Sequence, residues 1–481
     1  MTENSLKHTT TKGIIWSAID KFSVRGVEFL IGIILARLLT PSDFGLIGML
    51  AIFIAISQTF IDSGMGSGLI QSQERTSEDY STVFVFNLVV SSIFYLILFV
   101  TAPLIAKFYK TTELIDILRV IGLSLVIRSL SIVQYSRLTI AMDFKTLAKA
   151  NIISVVLSGA IAIYFAYKGI GVWALVLRQI LGSLFTVIAL WYFSRWRPSL
   201  KFSRESFKKL FGYGSKLLMA GIYAKIFQNL NEIIIGRAYD AGSLGFYTQA
   251  KKFSNLAAIT VSNIFQQVSF PVLSSLQSNR EKMISVYRQL IKMSGYVMFF
   301  LMATFAVLAE PFIDFFLGEK WAATVPLLQW LCMSYLFYPI SALNLNILNA
   351  NGRSDLFMKI DMIKSPLTII ALIITVPISV EAIVIGRVIV TLINFFINAY
   401  MPGKLYGYGA LAQFKDLWKM VFATGLTALI TVFAITLVDS SILKLMFGIF
   451  TSLMIYWGFS VLFKFKELSE FKELIRKMIR K

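Results

Sequence analysis

The sequence predicts an all-α polytopic membrane protein, with about 14 transmembrane helices in two pseudo-twofold-related six-helix lobes plus an appended helix pair. Three observations carry that expectation. The composition, 57% hydrophobic and 15% charged over 481 residues, is too apolar for a soluble chain of this size. Fourteen segments meet the need of a bilayer span for about 20 mainly apolar residues. Lysine and arginine alternate between rich and poor loops, as positive-inside sorting requires.

In order, the segments are 13–39, 44–64, 83–108, 114–134, 147–167, 172–193, 207–238, 244–276, 283–309, 325–348, 358–378, 382–401, 417–438 and 443–463. The polar start, MTENSLKHTTTKG, lacks the apolar core and small-residue site of a signal peptide, so insertion rests on the first span. Placing this end in the cytoplasm leaves only Arg37, Lys107, Lys110, Lys168, Arg237, Lys320 and Lys444 outside. The inner loops collect the rest, including six bases between Arg195 and Lys209, and both termini are expected inside. The formal charge of +20 therefore reads as topology, and no nucleic-acid partner is expected.

The expected divisions are an N-lobe at 1–194, a basic cytoplasmic linker at 195–209, a C-lobe at 210–404, appended spans at 405–463 and a tail at 464–481. In the tail, Phe465, Leu468, Phe471, Ile475 and Met478 recur every three or four residues among lysines and arginines, the pattern of a basic amphipathic helix on the inner leaflet. The single cysteine, Cys332, lies in an apolar run and excludes a disulfide or thiolate metal site. The single histidine, His8, lies outside the spans, which removes the usual general base.

The halves repeat. A shift of 200 residues sets Ala36-Arg37 on Gly236-Arg237, Gly45 on Gly245 and Arg25 on Lys225. A shift of 208 sets Ala102-Pro103 on Glu310-Pro311, Lys145 on Arg353, and the run from Gly171 to Val176 on the run from Ser379 to Val384. An offset of six spans, an even number, gives both copies one direction through the membrane and a pseudo-twofold axis along its normal.

Ionisable residues inside spans cost about 2.5–3.5 kcal/mol each on insertion scales, so they face protein or water. The bases are Lys21, Arg25, Arg128, Arg178, Lys216, Lys225, Lys251, Lys252, Lys364 and Arg387; the acids are Asp20, Glu28, Asp62, Glu232 and Asp361. Lys21, Arg25 and Glu28 share one helical face. A structural reading pairs Lys364 with Asp361 one turn away and lets Lys251 and Lys252 snorkel. The excess of bases fits a cationic aqueous cavity between the lobes, which suits a phosphate or pyrophosphate. The repeat-related Arg25 and Lys225 are the first candidates for an anionic headgroup. Arg128, Arg178 and Arg387 follow, with Lys21, Lys216 and Lys364. Asp20, Glu28, Glu232 and Asp361 are candidates to carry a coupling proton or sodium ion, or to pair with the bases. No cofactor or resident metal is expected.

The run from Ile33 to Leu46, with Asp62-Ser63-Gly64, Leu69-Ile70-Gln71, Ser81-Thr82-Val83-Phe84, Ala102 to Tyr109 and Gly171 to Val176, resembles bacterial polysaccharide flippases of the colanic-acid and teichuronic-acid exporter type. These belong to the multidrug/oligosaccharidyl-lipid/polysaccharide exporter superfamily. The likeness weakens after about residue 405. It implies two six-helix lobes plus two helices, alternating between inward- and outward-open forms in a bacterial inner membrane. It also implies an undecaprenyl-pyrophosphate-linked oligosaccharide as substrate, and no enzymatic activity. Membrane lipids, a polysaccharide polymerase and other assembly proteins are the expected neighbours of a monomer. The alternatives are a multidrug antiporter, which needs a more acidic cavity, and a non-transporting scaffold for glycan assembly. A membrane enzyme would need a large external loop or a membrane histidine.

Overall fold

The computed structural model describes residues 23–62 and 64–470, with the backbone alone described at 212–217 and 220. Asp20 and Lys21 lie outside the described residues, as does the side chain of Lys216. Among the described residues there is no strand. The predicted spans coincide with α1 (23–38), α2 (Pro41–Asp62), α4 (Ser77–Tyr109), α5 and α6 (Leu114–Ser129, Ile132–Ile140), α7 (Phe144–Tyr167) and α8 (Trp173–Ser194). They continue in α9 and α10 (Arg204–Gln228, Leu230–Ala238), α11 (Ala241–Ser275), α12 (Arg280–Val307), α14 and α15 (Thr324–Tyr335, Tyr338–Ala350), α16 (Ser354–Thr375), α17 (Val380–Tyr406), α18 (Ala410–Ile435) and α19 (Ser441–Leu462). Short helices α3 (Met65–Gln71) and α13 (Ala309–Phe316) complete the set.

Ten helical runs among the described residues are long and apolar enough to cross a membrane, and the chain is a multi-pass membrane protein. The expected count of about fourteen exceeds this: the first expected span is described only over 23–38, and α5 with α6, α9 with α10, and α16 fall short of the standard. Breaks and charge are the reasons. Helix α5 stops at Ser129, where Ser129 and Ser131 turn their hydroxyls onto the carbonyls of Val126 and Arg128. Helix α14 also stops at Tyr335, because Pro339 brings no N–H and its ring crowds the carbonyl four residues back, yet α14 with α15 still forms one of the ten runs. Helix α16 carries Lys359, Asp361 and Lys364 within its apolar stretch.

Packing divides the chain into two compact units, Met1–Gly245 and Phe246–Lys481. In the first, α7 packs on α8 and α4 on α5, while α9 lies against α2 and α3. The basic linker is strapped down. The Ser81 and Ser199 hydroxyls are 2.8 Å apart, the Ser203 N–H donates to Thr82 Oγ1 at 3.0 Å, and Lys209 Nζ reaches the Glu74 carbonyl at 2.8 Å.

Helix α2 opens with a capping box: the Thr40 N–H donates to Asp43 Oδ2 at 2.8 Å and the Asp43 N–H donates to Thr40 Oγ1 at 3.3 Å, with Pro41 in the first turn. Asp240 caps α11, accepting from the Ser243 N–H at 2.8 Å. The two capped starts meet at the repeat-related glycines. A Cβ at Gly45 would stand 2.5 Å from the Ala241 carbonyl carbon, and one at Gly245 would stand 2.6 Å from the Pro41 carbonyl carbon. Only glycine allows two backbones this close.

In the second unit, α12 and α18 enclose a buried polar knot. Gln413 Nε2 donates to Asn344 Oδ1 at 2.8 Å and to the Tyr408 carbonyl at 3.1 Å, Asn344 Nδ2 donates to Gln413 Oε1 at 3.1 Å, and the Tyr287 hydroxyl donates to Asn344 Oδ1. This network fastens α18 to α12 and α15. Phe465 is buried in the same core with Leu468 against it, and Lys292 pairs with Glu467 at 3.2 Å. The start of the expected surface helix therefore packs on protein; Phe471, Ile475 and Met478 lie outside the described residues.

Candidate substrate-binding cavities

The first unit holds a cavity of about 860 Å³. Its walls follow helical spacing. Helix α7 contributes Asn151, Ser154 and Ser158, and α8 contributes Arg178, Gln179, Ser183 and Thr186, so each helix turns one polar stripe inward within an otherwise apolar sequence. The hydroxyls bond back along their own helices: Ser154 to the Ala150 carbonyl at 2.7 Å, Ser158 to Ser154 at 2.6 Å, and Thr186 to Gly182 at 2.8 Å. This satisfies each donor and leaves oxygen lone pairs for an occupant.

Four charged residues line the same space: Glu28, Asp62, Arg128 and Arg178. Asp62 accepts from Gln58 Nε2 at 3.0 Å and faces the charges of Arg128 and Lys225, while Glu28 acts on Arg178. Among the described residues, neither guanidinium has a hydrogen bond or an ion pair. A guanidinium presents five donors in a planar fork, so the cavity offers ten to an anion.

The second unit holds a cavity of about 380 Å³ between α11, α14, α15, α16 and α17. It takes in two predicted residues, Lys364 and Arg387. Lys364 Nζ lies 2.5 Å from Asp361 Oδ1, which is the local pair that the sequence spacing suggests. Arg387 Nη2 donates to the Tyr335 hydroxyl at 2.7 Å, and its guanidinium lies 5.0 Å from the centre of the Tyr335 ring. The rest of the wall is amide and hydroxyl with Ala342, Leu345 and Phe357 among them, and Asn394 and Asn398 continue the face of Arg387 and Thr391 along α17. A further hollow of about 600 Å³ lies among α13, α14, α18 and α19 and contains none of the predicted residues.

The repeat returns in the linings of the two described cavities. A shift of 210 residues carries Arg128, Ser131, Ile132, Tyr135 and Ser136 onto Tyr338, Ser341, Ala342, Leu345 and Asn346, which line the second cavity as their counterparts line the first. The 208-residue shift carries Gln179, Ser183, Thr186 and Leu190 onto Arg387, Thr391, Asn394 and Asn398. The broken pairs α5–α6 and α14–α15 thus occupy matching places.

Arg25 and Lys225, the first candidates from sequence, are exposed and line neither cavity. Glu232 is buried on α10. The uncharged lining residues escaped the sequence reading, which followed charge alone. The signal was present: Asn151, Ser154 and Ser158 sit at positions i, i+3 and i+7 in an apolar helix, as Thr391, Asn394 and Asn398 do on another.

Apolar spans, discontinuous helices and polar cavities at matching repeat positions define a membrane protein of transporter build. The profile of the family described as "Polysaccharide biosynthesis protein" matches residues 34–326, and the chain belongs to that family. It is similar to the teichuronic acid biosynthesis protein TuaB of Bacillus subtilis (strain 168), 25% identical, with 89% of each chain covered. It is also similar to the succinoglycan biosynthesis transport protein ExoT of Rhizobium meliloti (strain 1021), 26% identical over 69% of this chain and 68% of ExoT. The structure of the lipid II flippase MurJ in an inward closed conformation has the same fold, with a TM-score of 0.73 at 17% identity, covering 96% of this chain and all (100%) of MurJ.

Proposed function

We propose that the chain moves an undecaprenyl-pyrophosphate-linked oligosaccharide from the cytoplasmic to the outer leaflet of a bacterial inner membrane by alternating access. The observation that carries this reading is the pair Arg128 and Arg178, two guanidiniums that make no ion pair among the described residues and line a polar cavity inside an apolar bundle. Glu28 and Asp62 offset the charge of this pair without taking up its donors, so both forks stay open to an anionic occupant. A pyrophosphate meets guanidinium forks through charge-assisted, bidentate bonds that strengthen where water is scarce. The polyprenyl tail stays in lipid, because each methylene moved into water costs about 0.8 kcal/mol.

Arg25, Lys225, Lys21 and Lys216 are proposed to guide the headgroup toward this cavity, with Lys225 beside Asp62. Glu28 and Asp62, sharing the cavity with the arginines, are the leading positions for a coupling proton or sodium ion; Glu232 and Asp361 stand behind them. Arg387 and Lys364 belong to the second cavity. The names of TuaB and ExoT support a polysaccharide-linked cargo, and the lysine and arginine asymmetry supports cytoplasmic termini. The chain is read as a monomeric transporter without catalytic residues, working among membrane lipids beside a polysaccharide polymerase.

The test uses purified protein in vesicles and leaflet-selective detection of undecaprenyl-pyrophosphate-linked oligosaccharide. Arg128→Gln and Arg178→Gln should each slow flipping by about tenfold or more, since a hydrogen bond to a charged group contributes about 1.5–3 kcal/mol. Thermal stability should change little, because among the described residues neither guanidinium makes a hydrogen bond or an ion pair to lose. Full flipping by the double variant would remove the cavity from the mechanism. Movement of organic cations and not of lipid would establish the antiporter in its place.

A further inference from the structure

The second cavity sits at the repeat-equivalent position to the first but has different chemistry. Where the first has Arg128 the second has Tyr338, and where it has Thr186 and Leu190 the second has Asn394 and Asn398. Its two bases are already engaged, Lys364 with Asp361 and Arg387 with Tyr335. What remains to meet an occupant is neutral: amides and hydroxyls beside an aromatic ring.

Three of these polar atoms have unmet hydrogen-bonding capacity. Among the described residues, Ser341 Oγ, Asn394 Oδ1 and Asn398 Oδ1 are buried without a hydrogen-bond partner, and Asn398 is only 3% exposed. Native proteins rarely leave buried polar atoms unbonded, and such an atom costs stability until something pairs with it. Three of them around one cavity point to a ligand that supplies the missing partners. An asparagine amide donates and accepts side by side, which matches the paired hydroxyls of a sugar ring, and the Tyr338 ring offers an apolar face to the sugar's C–H groups.

We infer that the cavity between α15, α16 and α17 is the glycan subsite, binding uncharged sugar residues of the cargo through Asn394, Asn398, Ser341 and Asn346, with Tyr338 as a stacking platform. This rests on the flippase reading above and names the part of the cargo that this cavity reads. Asn346 is already oriented, its Nδ2 donating to Ser269 Oγ at 3.0 Å.

The test measures binding of two probes to the full purified chain by native mass spectrometry. One probe is bare undecaprenyl pyrophosphate. The other is the pool of undecaprenyl-pyrophosphate oligosaccharides extracted from the source cells. Asn398→Leu should weaken retention of the glycan-bearing pool by about tenfold, the scale of one or two lost neutral hydrogen bonds, and leave the bare lipid unchanged. Its melting temperature should hold or rise, since an unbonded buried amide has become apolar. A structural role for Asn398 predicts the opposite, a lower melting temperature. Ser341→Ala, which deletes only an unbonded hydroxyl, repeats the comparison without a packing change. Unchanged retention of the glycan pool in both variants, or parallel loss of both lipids, would overturn the subsite while leaving the flippase reading intact. A wild-type chain that retained neither lipid would overturn both.

Discussion

Replacing Gly45 by alanine tests the helix crossing directly. The added methyl would lie 2.5 Å from the Ala241 carbonyl carbon and nearer still to its oxygen, whereas non-bonded carbons settle at about 3.5 Å or more. The oxygen sets the larger demand, so the two helix starts must separate by about 1.5 Å, and no rotamer change can relieve it because the obstacle is backbone. Overpacking of this kind costs about 3 kcal/mol, at the upper end of the usual range. For a unit of this size, 1 kcal/mol moves the melting temperature by about 2–4 °C, so Gly45→Ala should melt about 6–12 °C lower. Gly245→Ala should do the same from the other side, where its methyl meets the Pro41 carbonyl carbon at 2.6 Å. The double variant should cost less than the sum, since one separation relieves both contacts. The controls are Gly425→Ala in α18 and Gly458→Ala in α19, where nothing lies within 4 Å of the new Cβ. Those should be neutral or stabilising by up to about 1 kcal/mol from helix propensity. The assay is a thermal melt of detergent-purified protein. Gly45→Ala melting within about a degree of wild type would refute the crossing.

Two further outcomes follow from the same packing. Burial pushes the Asp240 carboxyl up, but the N–H and hydroxyl of Ser243 outweigh it and hold the group below the usual carboxylate range. Its stabilisation is therefore complete above the unfolded value of about 3.9 and is lost as pH falls through the lower folded value. Asp240→Asn should keep the α11 cap and flatten the acid limb of a melting-temperature profile, while Asp240→Ala should cost about 1 kcal/mol at neutral pH. Gln413→Leu should cost about 1–3 kcal/mol in denaturant unfolding by stranding the Asn344 amide and the Tyr408 carbonyl. Adding Asn344→Leu should recover part of that loss, and a further full-size loss would show that the knot is not a unit.

Apolar runs of about 20 residues carry their own statement of where a bilayer lies, which is why each expected span coincides with helix wherever its residues are described. The breaks at Leu130 and Leu336 were hidden inside such runs, since they depend on serine hydroxyls taking backbone carbonyls and on where Pro339 falls against the preceding turn. Pro339 was visible in sequence, but Pro366 sits inside an unbroken α16, so proline alone does not locate a break. Charge found Arg128, Arg178, Glu28, Lys364 and Arg387 because an ionisable group in an apolar run stands out. Charge also put Arg25 and Lys225 first on symmetry, yet helical phase and the neighbouring helices leave them exposed, and neither is encoded at a single position. Gly45 and Gly245 aligned under the 200-residue shift, but their meeting depends on two capped turns packing together.

The matched linings of the two cavities bear on how such a protein tolerates an empty site. An unpaired guanidinium within a bilayer carries a large desolvation penalty whenever its anion is absent, and Glu28 and Asp62 in the same cavity as Arg128 and Arg178 reduce that penalty between occupants. An unpaired amide carries a smaller one, so the second cavity needs no counter-charge to stand empty. The same repeat positions therefore carry guanidiniums with nearby carboxylates in one unit and neutral amides in the other. Release follows the same logic. A site that met both headgroup and sugar with charge would hold its cargo too tightly to let it leave, whereas neutral amides exchange sugar hydroxyls for water at little net change in free energy.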